Sequence, residues 1–216
     1  MKASPIRSVS KSTEVFNRLR DAIFSQELLP GTPLREAHIA KDLKVSQVPV
    51  REALLRLQEL GLVVRIEDKG TYVTTLSRAD MMNLLEVRAH LEELAFRLAS
   101  KHMTPEIEKE LERRVSDIEK AARSKSHMAT AEADLRFHET VWRASGNTLL
   151  VKTLDRICAA VYAFIGHQRH ITGEKLAVVS HQNLLKALES GDPVQIAESI
   201  REHLAPESFI PSSIGD

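Results

Sequence analysis

Asp134 and His138 stand four residues apart in a stretch whose other inward positions are Ala131, Val141 and Trp142. On a helix that spacing sets a carboxylate and an imidazole on one face. Further along, His181 interrupts the apolar stripe Ala177, Leu184, Leu185, Leu188, and His203 continues Ile196 and Ile200. One buried carboxylate and three buried imidazoles are unfavourable unless something satisfies them. A single divalent cation would satisfy all four. Nitrogen and oxygen donors suit zinc, nickel, manganese or iron and do not choose among them. Any one of these histidines alone reads more simply as a hydrogen-bonded core residue. The case for a metal rests on four polar groups sharing one inward direction. Of the nine histidines, the other six (His38, His90, His102, His127, His167, His170) show no such pattern and read as surface.

A fifth inward polar group is Arg88, set within the stripe Met81, Leu84, Leu85, Leu91, Ala95, Leu98. A buried guanidinium needs an anion. That anion is either an internal glutamate or the carboxylate of a bound ligand.

A second constellation lies between Val45 and Val73. Ser46 is placed to cap a helix, and Pro49 falls in its first turn. Val50, Leu54, Leu57 and Leu60 form the apolar stripe of that helix, and Gly61 closes it. Two short strands follow, Leu62 to Ile66 and Thr71 to Thr75, around the tip Glu67-Asp68-Lys69-Gly70. Helix, corner and β-wing in that order predict a winged helix-turn-helix. Gln47, Val48, Arg51 and Glu52 point away from the stripe. Arg51 could reach a guanine edge or a phosphate, and Gln47 could pair with adenine. Arg35, ahead of the preceding helix, could hold a phosphate. Lys69 and Gly70 sit at the wing tip, where backbone can approach a minor groove.

The elements that must position these groups are mostly helical. Val15, Leu19, Ala22 and Ile23 mark a first helix, ended at Leu29-Pro30-Gly31. Ile39, Ala40 and Leu43 mark a second. Beyond the hinge Leu76-Ser77, helical spacing covers residues 78–101, a segment opened by Thr104-Pro105, and then about 128–145, 148–171, 174–190 and 193–204. The fold class is therefore mainly α. An N-terminal winged helix-turn-helix domain (1–76, with a flexible arm at 1–12) precedes an all-helical bundle (77–216, with a loose tail at 206–216).

Totals exclude some classes. No apolar run approaches the ~20 residues of a membrane helix, and the first thirteen residues have no apolar core of a signal peptide. A cytoplasmic location is expected. The single cysteine, Cys158, excludes an internal disulfide and reads as a small buried hydrophobe. Formal net charge is zero, yet residues 1–76 hold 12 Lys+Arg against 9 Asp+Glu. That slight excess has the sign a DNA-reading head would show.

The segments Leu34-Arg35-Glu36, Ile39-Ala40, Val45-Ser46, Pro49-Val50-Arg51-Glu52-Ala53-Leu54, Leu60-Gly61-Leu62-Val63 and Gly70-Thr71-Tyr72-Val73 resemble the GntR family of bacterial transcription regulators. The resemblance implies a winged helix that binds a short palindromic, double-stranded DNA operator as a homodimer. Gln47 departs from the family, where arginine is common. Glu86-Val87-Arg88, Leu91-Glu92, Asp134-x-x-x-His138, Ala144-Ser145-Gly146-Asn147, His181 and Arg201-Glu202-His203-Leu204 resemble the FCD-type effector domain. That likeness implies a helical bundle, a metal on Asp134, His138, His181 and His203, and a small organic acid met by Arg88. Arg143, Arg169 and Asn183 are looser candidates.

The expected protein is a transcription regulator rather than an enzyme, responsive to a small carboxylate effector beside a divalent metal. A regulator that senses the metal alone and a metal-dependent hydrolytic enzyme are the alternatives. A purely structural metal is a further one.

Overall fold

Ser10 begins the first helix, α1 (Lys11–Phe24), by accepting the Thr13 amide on its hydroxyl at 3.3 Å. In this computed structural model residues 10–124, 126–167 and 174–205 are described, with side chains except at 127, 128, 164–167 and 174–177. The chain divides into two compact units, Met1–Thr75 and Leu76–Asp216. The expected arm is therefore described only from residue 10, and the tail at 206–216 lies outside the described residues.

In the first unit α1 is followed by α2 (Glu36–Asp42), α3 (Gln47–Glu59), β1 (Val63–Ile66) and β2 (Gly70–Val73). The buried face of α1 (Val15, Phe16, Leu19, Ile23) packs on the buried face of α3 (Val50, Ala53, Leu54, Leu57). α1 stops at Phe24, short of the expected Leu29-Pro30-Gly31 stop. Ser25 ends it, and its amide satisfies the carbonyl of Asp21. The strands pair antiparallel, Val63 with Val73 through Ile66 with Gly70. Glu67, Asp68 and Lys69 form the loop, with Asp68 in the left-handed region at φ 58° and Gly70 at φ 104°, a value few residues but glycine accept. The segment before α2 also pairs with β2: Leu34 N–H donates to Thr71 O at 2.8 Å, and Val73 N–H to Thr32 O at 3.0 Å.

The second unit is helical: α4 (Arg78–Ala99), α5 (Pro105–Arg123), α6 (His127–Ala144), α7 (Thr148–His167), α8 (Glu174–Ser190) and α9 (Pro193–His203). α4 starts with a reciprocal cap between Ser77 and Asp80. It gives way at Ser100–His102 to a single tighter turn, so it is shorter than the expected 78–101. Thr104 caps α5 with Pro105 at its first position, and Asp192 caps α9 with Pro193 in the same place. α4 packs against α6, α7 and α9, while α5 packs on α6 and α8. Phe96, Leu111, Ile118, Phe137, Val141, Leu184, Leu188, Ile196 and Ile200 share one core. A second cluster joins Ala95, Trp142, Leu150, Leu154, Cys158 and Tyr162. Polar groups that enter this interior on α4, α6, α8 and α9 are forced close together.

Candidate metal and anion site and the DNA-reading head

α6 carries Asp134 and His138 one turn apart, α8 carries His181 and α9 carries His203. Buried apolar neighbours (Ala133 and Phe137 on α6, Leu184 and Leu185 on α8, Ile200 and Leu204 beside His203) turn the four side chains toward one point. One ligand atom from each lies within 4.8 Å of all the others. His181 Nε2 is 2.8 Å from Asp134 Oδ1, and His203 Nε2 is 4.0 Å from the same oxygen. The Nε2 atoms of His138 and His203 are 3.0 Å apart. Two ligands each ~2.1 Å from a shared cation lie at most ~4.2 Å apart, so small side-chain rotations would bring the set onto one ion. Three imidazoles and a carboxylate fit a divalent transition metal.

The electrostatics favour that use. Burial raises the Asp134 carboxyl, but the neighbouring His181, with His138 and His203, outweighs it and holds Asp134 well below the usual carboxylate range. Burial and the nearby His181 and His138 push His203 well below the ordinary imidazole value, so it stays neutral. An ionised carboxylate and a neutral imidazole are the forms that ligate metal.

Three of the four side chains are held from behind by polar neighbours. Tyr162 on α7 donates its hydroxyl to Asp134 Oδ2. His203 Nδ1 is 3.2 Å from the Ser180 hydroxyl. His138 Nδ1 is 3.2 Å from Glu92 Oε1. Phe137 sets its ring edge-on to both His138 and His181, at centroid distances of 5.5 and 5.0 Å.

Arg88 is fully buried, and its Nε donates to Glu92 Oε1 at 3.3 Å. Its Nη1 and Nη2 are buried with no hydrogen-bond partner among the described residues. Both meanings open for Arg88 in the sequence are thus compatible, because one edge of the guanidinium meets a glutamate and the other meets no partner among those residues. The guanidinium carbon also lies 5.5 Å from the centre of the Tyr162 ring, which joins Arg88 to the Asp134 side of the cluster. Tyr162 and Ser180 were not singled out from the sequence, and Glu92 entered only within the Leu91-Glu92 segment of the FCD resemblance, with no role assigned. Only Glu92 leaves a trace there, one turn beyond Arg88 on the same face. Of the looser candidates, Arg143 is exposed and paired with Glu139, Asn183 is exposed, and Arg169 lies outside the described residues. His38, His90 and His102 are exposed; side chains at 127, 167 and 170 are outside the description.

In the first unit α2 and α3 form the helix-turn-helix, with Lys44 in the left-handed region of the turn. Arg35, Ser46, Gln47, Arg51, Lys69 and Gly70 are all exposed. Ser46 occupies the cap position of α3, but its side chain makes no capping hydrogen bond. Arg51 is not free: it grips Glu36 of α2 through Nε and Nη2 at 3.1 and 2.9 Å.

Residues 11–73 match the gntR family of bacterial regulatory proteins, and residues 83–206 match the FCD domain. The chain belongs to the GntR family and carries an FCD domain. This regulator is 31% identical to the "Probable D-xylose utilization operon transcriptional repressor" of Paenarthrobacter nicotinovorans, over 93% of this chain and 89% of that protein. It is 26% identical to the transcriptional repressor RspR of Escherichia coli K12, over 88% and 84%. Among solved structures, E. coli McbR/YncC shares the fold with a TM-score of 0.79 at 21% identity, over 93% and 96% of the two chains. A GntR-type regulator from Rhodococcus sp. RHA1 matches with a TM-score of 0.77 at 19% identity, over 95% and 100%. The regulator is thus a DNA-binding transcription factor with a winged head and a helical body. Among the described residues no helix is long and apolar enough to cross a membrane.

Proposed function

We propose that this regulator binds a palindromic DNA operator as a homodimer and changes its operator affinity when a small organic acid binds beside a divalent metal. Asp134, His138, His181 and His203 would hold the metal, which would supply a Lewis-acidic contact for a carboxylate. Arg88 would take the acid's carboxylate on Nη1 and Nη2. The observation that carries the reading is that pair of guanidinium nitrogens, buried and unpartnered among the described residues, one glutamate away from the candidate metal cluster. A buried donor without a partner is destabilising by about 1–3 kcal/mol or more when charged, and a bound carboxylate relieves it. Arg51, Gln47 and Ser46 would face the major groove, Lys69 and Gly70 the minor groove, and Arg35 a phosphate.

The same observation favours an acid effector over the metal as sole signal. A hydrolytic role has less support. Glu92, the other buried carboxylate near the cluster, is held by Arg88, Trp142 and His138 rather than poised as a base.

An effector acts only as far as its affinity differs between two states of the protein. Elemental analysis with native mass spectrometry of the purified chain should show a transition metal and a retained small acid. Candidate acids are then titrated into the operator-bound protein. Acids that bind the chain yet leave operator affinity unchanged would defeat the proposal.

A further inference from the structure

We propose that Glu92 is a positioning residue that fixes the tautomer of His138 and so presents its Nε2 lone pair to the metal. The inference rests on the metal reading of Asp134, His138, His181 and His203. It goes further in assigning a task to a residue outside the ligand set.

Glu92 is fully buried on α4, and each of its oxygens has defined neighbours. Trp142 Nε1 donates to Oε2 at 2.7 Å. Arg88 Nε donates to Oε1 at 3.3 Å, and His138 Nδ1 lies 3.2 Å from that same oxygen, within ion-pair distance though not aligned as a hydrogen bond. The Trp142 bond turns the carboxylate so that Oε1 faces His138. An ionised carboxylate only accepts hydrogen bonds. Beside that negative charge the proton is favoured on His138 Nδ1, which leaves the lone pair on Nε2. That Nε2 is the atom facing His203, at 3.0 Å. A carboxylate behind a ligating imidazole fixes both ring orientation and tautomer.

A bland alternative makes Glu92 only the counter-ion of Arg88. The two roles separate in Glu92→Gln. Trp142 Nε1 donates on one side of the group and Arg88 Nε on the other, so the amide can keep its oxygen toward only one of them. The charge behind His138 Nδ1 is gone in either orientation, the proton is no longer confined to Nδ1, and part of the Nε2 lone pair is lost to the metal. A counter-ion role predicts an effect on anion binding and no change at His138.

The test uses the full chain, made metal-free and 15N-labelled at histidine. Ring nitrogen shifts should show His138 protonated on Nδ1 in the parent and a mixture of both tautomers in E92Q. Zinc affinity, measured against a competing chromophoric chelator, should fall about 10- to 100-fold in E92Q. Should E92Q fail to fold, Trp142→Phe keeps the charge of Glu92 but removes the bond that orients it. That variant should lose zinc affinity in the same direction and show both His138 tautomers. An unchanged Nδ1–H tautomer together with parental zinc affinity in the folded variant overturns the role of Glu92 alone. A parent chain that takes up neither zinc nor nickel overturns the metal reading itself, and this inference with it.

Discussion

His138 Nε2 and His203 Nε2 face each other across 3.0 Å, although 65 residues separate them in the chain. Only one proton fits between two ring nitrogens at that distance. With the proposed role of Glu92 behind Nδ1 of His138, that proton would belong to His203, whose Nδ1 would then accept from Ser180. A cation in place of the proton would require His203 to carry its hydrogen on Nδ1. The expected outcome of metal addition is therefore a change of tautomer at His203 and none at His138. Histidine 15N shifts with and without metal check it.

Removing one ligand should lower metal content. His181→Ala is expected to bind less than the parent's complement of metal by elemental analysis. A full complement in the folded variant would strike His181 from the ligand set. Metal at 100 times its dissociation constant stabilises the body by about 2.7 kcal/mol. Chelation of the loaded parent should accordingly lower the thermal midpoint of the helical unit by several degrees, and that shift should be absent in the variant.

Arg51 and Glu36 form an exposed ion pair, worth roughly 0–1 kcal/mol. A guanine or phosphate contact is worth more, so DNA can take Arg51 from its partner. Arg51→Ala should weaken operator binding by about 1–3 kcal/mol if it reads a base edge. Glu36→Gln should leave binding equal or tighter, because it frees the guanidinium. Fluorescence anisotropy on a labelled operator measures both, and parental affinity in the alanine variant removes Arg51 from the contact set.

Asp155 on α7 has its carboxyl raised by burial, with Arg143 opposing. Because its folded value lies above the unfolded ~3.9, the folded state binds more protons in the window between them. Its contribution therefore becomes destabilising as pH rises through that window, and fully so above the folded value. Asp155→Asn should raise the thermal midpoint of the helical unit at pH 7, and the gain should shrink as pH falls toward 4. A lower midpoint for the variant at pH 7 would show that the charge is compensated.

Cys158 is fully buried in α7, and burial pushes its thiol well above the ordinary value. The thiolate is the reactive form. Native protein should not react with an aromatic disulfide reagent at pH 8, and unfolded protein should release one equivalent. Rapid labelling of the folded chain would refute the buried assignment.

Much of this architecture was legible in the order of residues. The stripe Val50, Leu54, Leu57 recurs at helical spacing, the tip Asp68-Lys69-Gly70 turns a hairpin, and Asp134 and His138 share a face at four residues apart. These are local properties, set by backbone geometry within a turn or two. The inward direction of His181 and His203 was readable as well, from the apolar neighbours that bury. Element ends were less so: α1 stops at Phe24, where Ser25 satisfies the last carbonyls, well before its proline and glycine.

What only tertiary structure decided is which groups meet across helices. Glu92 looks like one more acidic residue on α4 until packing sets it against Trp142 and His138 on α6. Tyr162 and Ser180 have no sequence signal at all, since each acts on a partner more than twenty residues away. Likewise Arg88 declares itself buried by its stripe, but only the fold shows one edge of its guanidinium engaged and the other without a partner among the described residues. Periodicity tells which way a side chain points. Helix packing alone determines what stands there to receive it.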